Sequence, residues 1–342
     1  MILVTGGAGF IGTNFILECL KHYESKIIVL DALTYAGNFS NFDQVEPSDR
    51  LIKIEGDIND LRLLSEIFNK YQPEAVFHFA AESHVDRSIS GPRNFIDSNI
   101  LGTFNLLMSS REFLDAKAPC RFKFFHISTD EVFGSLENWD PSFSESSNYS
   151  PNSPYSASKA SSDMLVRSFI KTFNFPAIIT NCSNNFGPFQ SPEKLIPLTV
   201  FNAINEKKIP IYGDGNQIRD WLFVQDHVKA LLALFELDSY DFHNFCIGGD
   251  NEITNINLVR EICTILDNKQ PRRNGASYSK LITHVEDRLG HDFRYSVNSD
   301  RIKSLTAWKP SQNFEENLKY TVEWFLKNES WMNDMRQRQE KE

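Results

Sequence analysis

The sequence predicts an α/β fold, a Rossmann-type doubly wound parallel sheet joined to a smaller mixed α/β substrate-binding lobe. Three observations predict it. Short apolar runs alternate with helix-period segments along the first half of the chain. Those runs are continuously apolar, as strands buried on both faces must be. A glycine-rich loop, Thr5-Gly-Gly-Ala-Gly-Phe-Ile-Gly12, lies between the first apolar run and the first helical segment. The resulting βαβα order favours a parallel sheet with right-handed crossovers.

Taken in order, the strand candidates are Ile2–Val4, Lys26–Asp31, Leu51–Ile54, Ala75–Ala81, Phe122–Thr129 and Ala177–Ser183. Helical periodicity marks Thr13–Leu20 and Leu61–Tyr71. After about residue 184, Pro188, Pro192, Pro197, Pro210, Gly213 and Gly215 punctuate the chain. The expected division is therefore a Rossmann domain over 1–183 and a smaller lobe mainly over 184–342. Residues 220–248, including the strand-like Asn244–Ile247, are expected to return to the main sheet. The polar tail Met335–Glu342 is expected to fray.

Composition narrows the function. The chain has 342 residues, 41% hydrophobic and 23% charged, enough for a large buried core. Its net charge of −10 argues against nucleic acid as the main partner. An anionic small molecule would need locally placed cations. Cys19, Cys120, Cys182, Cys246 and Cys263 show neither metal-ligand nor redox spacing. They read as reduced, buried thiols of a cytoplasmic protein, and no metal site is expected. The N-terminus lacks a basic n-region, and no apolar run is long enough to cross a bilayer, so no membrane partner is expected.

The glycine loop fits G-x-G-x-x-G at Gly7, Gly9 and Gly12, and G-x-x-G-x-x-G at Gly6, Gly9 and Gly12. In a strand–loop–helix context such a loop lets backbone N–H groups approach a pyrophosphate at a helix N-terminus. The second strand ends at Asp31, whose carboxylate can accept from ribose hydroxyls and would repel a 2′-phosphate. Ala32 and Leu33 follow, and no Lys or Arg appears before Arg50. The cofactor read from these residues is NAD rather than NADP. Asp57 closes the third strand, where it could meet the adenine or serve as a simple turn residue.

Tyr155 and Lys159 form Y-x-x-x-K, one face of a helix. A phenol ionises at about pH 10, too high for a base near neutrality, and a neighbouring ammonium lowers that value. The fifth strand candidate runs into Thr129, Asp130 and Glu131. Strand carboxyl ends face the ligand crevice in such sheets. Two adjacent acids there suit proton chemistry beyond redox, with one protonated and one ionised. Read alone, they could equally be solvated loop charges. His78, within an apolar strand, reads as a core histidine.

The chain resembles the dTDP-glucose 4,6-dehydratase family of extended short-chain dehydrogenases/reductases from Met1 to about Trp331. The strings that carry the resemblance are TGGAGFIG from Thr5, DALTYAGN from Asp31, HFAAESHVDRSI from His78 and HISTDEVFG from His126. SPYSASKASSD from Ser153, TNCSNNFGPFQSPEKLIP from Thr180, YGDGNQIRDWLFVQDH from Tyr212 and DRLGHDFRY from Asp287 complete it. The glycine and Y-x-x-x-K motifs identify only the superfamily, whereas the Thr-Asp-Glu trio, PEKLIP and QIRDWL are more specific.

The resemblance implies a role for each matching residue. Tyr155, tuned by Lys159, would deprotonate the sugar 4-hydroxyl beside Thr129 as hydride passes from C4 to NAD. Glu131 would remove the C5 proton, Asp130 would protonate the departing C6 hydroxyl, and hydride would return to C6. Around NAD it places Gly6, Gly9, Phe10, Ile11, Gly12, Asp31, Ala32, Leu33, Thr34, Asp57 and Ile58. Ala80, Ala81, Glu82, Ser83, Ser98, Tyr155, Lys159 and Asn185 complete that set. Around the nucleotide sugar it places His84, Thr129, Asn184, Glu193, Lys194, Leu195, Pro210, Tyr212, Arg219, Asn255, Arg288 and His291. It also implies dTDP-glucose as substrate and a homodimer.

Two departures stand out: Leu289 replaces the family's proline, and the tail beyond Trp331 lacks its tyrosine-bearing ending. A UDP-glucose dehydratase, a nucleotide-sugar 4-epimerase and a non-catalytic NAD(H)-sensing scaffold are the competing readings. The last two have no need of Asp130 and Glu131 as an elimination pair.

Overall fold

The structure, a computed structural model, describes residues 1–46, 48–117, 121–238 and 243–340. Its strands are β1 (Ile2–Thr5), β2 (Ile27–Asp31), β3 (Leu51–Glu55), β4 (Ala75–His78), β5 (Lys123–Thr129), β6 (Ala177–Cys182), β7 (Asn184–Phe186), β8 (Ile209–Tyr212), β9 (Ile218–Phe223), β10 (Asn244–Ile247), β11 (Glu252–Thr254), β12 (Ile282–Val285) and β13 (Arg294–Tyr295). Seven form one parallel sheet in the order β10-β6-β5-β4-β1-β2-β3. Every residue of β1, β2, β4 and β6 is buried, which is why those runs read as unbroken apolar stretches. Helices cover both faces, and two apolar clusters flank the sheet, one around Val4, Phe15, Val29 and Phe77, the other around Leu3, Leu30, Val76 and Phe124.

The order reverses direction between β1 and β4. Chain following β1 proceeds outward to β2 and β3, and chain following β4 proceeds the opposite way, so a crevice opens at the carboxyl ends of this central pair. The glycine loop lines one side of it. The other side is Phe79–Ser83, because β4 stops at His78, three residues before the apolar run ends. His78 itself is a satisfied core residue, with Nδ1 paired to Thr5 and Nε2 to Thr103 at 2.8 and 2.9 Å.

Strand β10 joins the main sheet through β6. Strand β9, by contrast, pairs with β7, β11 and β13 in a second sheet, and β8 pairs with β12. These pieces enclose a separate core around Val200, Leu258, Ile262, Val322 and Phe325.

The tail departs from expectation. Glu329–Gln339 is a helix rather than a frayed end, and Met332 and Met335 are 0% and 1% exposed. Their i, i+3 spacing gives an otherwise polar segment one apolar stripe to bury. Lys341 and Glu342 lie outside the described residues, as does Cys120. The remaining cysteines, Cys19, Cys182, Cys246 and Cys263, are buried and unpaired. No helix among the described residues is long and apolar enough to cross a membrane.

If the final helix is packed as described, Met332→Ala should cost about 2–5 kcal/mol in denaturant unfolding. A loss below about 0.5 kcal/mol, as at an ordinary surface position, would mean that the segment is unpacked.

Candidate active site

One cavity of about 660 Å³ runs along the crevice and is lined by residues from both halves of the chain. At one end lies the glycine loop. Gly6 has φ +65°, and a Cβ there would sit 2.5 Å from the Ala80 nitrogen; at Gly12 it would sit 2.5 Å from the Gly6 carbonyl oxygen. The loop can approach the β4 end and its own helix this closely only without side chains. Gly9 caps Phe10–His22 without any side-chain hydrogen bond, and Phe10, Ile11 and Gly12 line the cavity. The uncapped first turn therefore presents N–H groups and the positive end of a helix dipole.

Asp31 ends β2 and is 8% exposed. Its carboxylate accepts from the amides of Ala8 and Leu33, each at 2.9 Å, leaving further lone pairs toward the cavity. Ala32, Thr34, Asp57, Ile58, Ala80, Ala81, Glu82, Ser83, Ser98 and Asn185 line the same end. Leu33 does not. Its backbone adopts φ +52° to direct its amide at Asp31, and its side chain packs against the hydrophobic core. Asp57 lines the cavity while also accepting from the Asn59 amide at 2.8 Å, the bond of a local turn.

The middle of the cavity holds the acids and the tyrosine. Pro154–Phe173 is a helix started by a Ser153/Ser156 capping box, which places Tyr155 and Lys159 one turn apart, both buried. Lys159 Nζ donates to the Ile127 carbonyl at 2.9 Å, so the helix is anchored to β5 beside the acids. Burial pushes the ammonium down to about 8, while Asp163 one turn further on opposes that shift. Burial, then the charges of Glu131 and Cys182, push the Tyr155 phenol well up, and its hydrogen bond with Thr129 pulls the other way.

Asp130 and Glu131 start a short 3-10 turn at the end of β5. Asp130 is 1% exposed; Thr129 Oγ1 donates to its Oδ1 at 3.3 Å, and its Oδ2 is buried without a partner. Burial, then Glu131 and Asp220, hold its carboxyl well above the carboxylate range. Burial also raises Glu131, but Arg288, Lys194 and Arg219 oppose this. Both acids are raised, Asp130 well above its ordinary range and Glu131 less so because three cations partly offset its burial, so Asp130 holds its proton more firmly than Glu131.

Those cations define the far end. Arg219, 5% exposed, is fixed by donating to the carbonyls of Ile218, Asp292 and Phe293 and lies 4.3 Å from the centre of the Tyr295 ring. Lys194 donates to the Ser83 carbonyl at 2.8 Å. Arg288 Nε is buried with no partner. Asn184, Leu195, Pro210 and Asn255 line this end, as do Tyr212 bonded to Asp86, His291 bonded to Asp287, and Glu193 near Arg87. Burial, then Lys194 and Arg87, push His84 down to about 3, so it is neutral here.

Sequence reading missed several residues at this cavity. Ser191 and Tyr295 line it and lie inside strings that carry the family resemblance, yet neither was singled out there. Asn99, 1% exposed, accepts from the Glu82 amide and donates to the Glu82 carbonyl and to Ser158 Oγ. It thereby joins the post-β4 loop to the Tyr155 helix. An asparagine inside a helical run, where it is a poor former, was the available signal.

A doubly wound sheet whose glycine loop, strand-end acids and Tyr/Lys helix share one cavity defines a short-chain dehydrogenase/reductase with a nicotinamide dinucleotide site. Comparison with known proteins agrees. A family described as GDP-mannose 4,6 dehydratase matches residues 3–321. The dTDP-glucose 4,6-dehydratase 1 of Escherichia coli K12 is 46% identical, over 98% of this chain and 95% of its own length. The crystal structure of the dTDP-glucose 4,6-dehydratase of Bacillus anthracis in complex with NAD superposes with a TM-score of 0.85 at 41% identity, covering 98% of this chain and 99% of the other. DesIV, the Streptomyces venezuelae dTDP-glucose 4,6-dehydratase, also solved with NAD, gives 0.88 at 40% with the same coverage. The chain belongs to the dTDP-glucose 4,6-dehydratase family.

The burial of Asp130 carries a stability cost. A folded-state pKa above the unfolded value means that stability from this group is full below the unfolded pKa and is lost as pH rises toward the folded one. Asp130→Asn removes that loss. The variant should therefore unfold at higher temperature than the parent near neutral pH, with the gap closing on acidification toward about pH 4. An unchanged or lower melting temperature near neutrality would contradict the environment described for Asp130.

Proposed function

We propose that this chain converts dTDP-glucose to dTDP-4-dehydro-6-deoxy-glucose by oxidation at C4, loss of water across C5 and C6, and reduction at C6. The observation that carries this reading is the pair of unequally raised acids, Asp130 and Glu131, beside Tyr155 in one cavity. An epimerase has no step for them.

The residues present fit NAD. The uncapped helix start suits a pyrophosphate, and the Asp31 carboxylate suits ribose hydroxyls and disfavours a 2′-phosphate. When bound, NAD supplies the acceptor for the C4 hydrogen and the donor to C6.

Tyr155 takes the proton of the sugar 4-hydroxyl, with Thr129 orienting the oxygen; its phenol, raised by burial and Glu131, relies on the Lys159 ammonium and the positive ring that bound NAD would supply to stabilise phenolate. The C4 ketone acidifies the C5 proton, which Glu131, whose ionised form Arg288, Lys194 and Arg219 favour against its burial, removes. Asp130, kept protonated by its buried position, gives its proton to the C6 hydroxyl, which leaves as water. A proton then returns to C5. Arg219, Lys194 and Arg288 balance the diphosphate of an anionic substrate in a chain of net charge −10.

The same reading takes the protein as a cytoplasmic homodimer, in keeping with its buried unpaired cysteines. Leu101, Phe104 and Met164 support the dimer. They are 45%, 39% and 39% exposed on helices that pack side by side, an apolar patch that a second copy would cover. Leu101→Asp with Phe104→Asp should then give monomers in light scattering, and an unchanged mass would rule out this face.

The direct test is incubation with dTDP-glucose, following the 4-keto product by its absorbance in alkali. Tyr155→Phe should lower the rate at least about 100-fold, since general base catalysis typically supplies that much. Asp130→Asn with Glu131→Gln should still oxidise C4, seen as nicotinamide reduction, yet release no 6-deoxy product. Release of that product at the parental rate by the double variant would refute the roles assigned to the two acids.

A further inference from the structure

The C-terminal helix Glu329–Gln339 touches both walls of the cavity. On the dinucleotide side, the Trp331 indole N–H donates to Asn41 Oδ1 at 2.8 Å. Asn41 is 3% exposed, and its Nδ2 donates to the Ala8 carbonyl and to Thr13 Oγ1, each at 3.0 Å. Ala8 is a glycine-loop residue whose own amide holds Asp31. Arg338 reaches the carbonyl of Gly37, a residue that packs so tightly on Asp31 that a Cβ would lie 2.4 Å from Oδ1. On the opposite wall, Gln339 donates to Ser191 Oγ at 2.7 Å, and Arg87 donates to the Gln339 carbonyl. The Arg336 guanidinium lies 4.1 Å from the centre of the Phe201 ring, and Trp331 packs against Phe189 and Trp324.

We propose that this helix is a strut that retains the dinucleotide, with Trp331 and Asn41 as positioning residues that brace the glycine loop from behind. The proposal rests on the reading of the cavity as an NAD site. Its chemistry follows from the two-stage reaction, in which the reduced cofactor must stay in place while water is lost. The loop carries no side chain at Gly6, Gly7, Gly9 or Gly12 with which to brace itself. Its position is set by backbone bonds, by the Asp31 carboxylate that accepts from the Ala8 amide, by Thr13 Oγ1 donating to the Gly7 carbonyl, and by the Asn41 amide, which spans Ala8 and Thr13. Trp331 fixes that amide, and Gln339 ties the far end of the same helix to the facing wall. Loosening either contact lets the loop and the Ser191 wall move independently and opens a route of escape.

The test uses the full chain loaded with NADH and chased with excess NAD, following the fluorescence of bound NADH. It needs no sugar nucleotide, so its outcome is independent of the dehydration itself. Trp331→Phe keeps the ring and removes one donor, and Gln339→Ala removes the other tie. Each should speed NADH release by roughly fivefold or more, the scale of one lost buried hydrogen bond. Ile67→Val, in the apolar cluster around Leu3 and Phe124 that includes no residue of the final helix, serves as a control of comparable destabilisation and should leave release unchanged. During turnover, Trp331→Phe should inactivate progressively and regain activity on adding NAD. Parental release rates in both variants would overturn the strut, as would equal acceleration in the Ile67 control. Failure of the parental chain to bind NADH would overturn the cofactor reading and the strut with it.

Discussion

Asp130 holds a carboxyl oxygen buried without a hydrogen-bond partner, directly beside the carboxylate of Glu131. A buried acid in that position is stable mainly with its proton on. The second acid is raised less, because three cations from the other lobe offset part of the effect of its burial. The fold must therefore satisfy two opposite demands within adjacent residues. It meets them by ending β5 at the crevice, turning Asp130 inward through a short 3-10 turn, and bringing Arg219, Lys194 and Arg288 to Glu131 from separate segments. Removal of the cations would draw both acids toward protonation, and exposure of Asp130 would leave both ionised. In neither case would a proton donor and an acceptor flank the same sugar.

The Tyr155 helix depends on the same arrangement. Lys159 reaches the carbonyl of Ile127 on β5, and Asn181 of β6 donates to both Thr129 O and Asp163. One polar web thus fixes Tyr155 and the two acids relative to each other. Its members are nearly all buried, so their geometry is set by the sheet rather than by mobile loops.

Much of this was legible in the sequence because the informative residues sit at strand ends. The glycine loop, Asp31, the Thr129–Glu131 trio and the Tyr155/Lys159 pair each follow an apolar run or open a helix, and all of them line the cavity. Leu33 was placed there by motif, yet its role is played by its backbone, which a motif cannot distinguish from a side-chain contact. The final helix was illegible for another reason. Met332 and Met335 are a two-residue apolar stripe in a charged segment, too short a pattern to outweigh polarity. What orders them is tertiary packing against Asn38 and the second-lobe core. Asn99 and Asn41 were missed because single asparagines carry no periodic signal, although each bridges segments far apart in sequence.

One cavity that oxidises C4, eliminates water and reduces C6 of the same sugar must carry the C4 hydrogen to C6. Deuterium placed at C4 of dTDP-glucose tests this most directly, with the product analysed by proton NMR. The account predicts a 4-keto-6-deoxy product with the deuterium in its C6 methyl group. Label retained at C4 of an intact or inverted hexose, or lost to water, would contradict it.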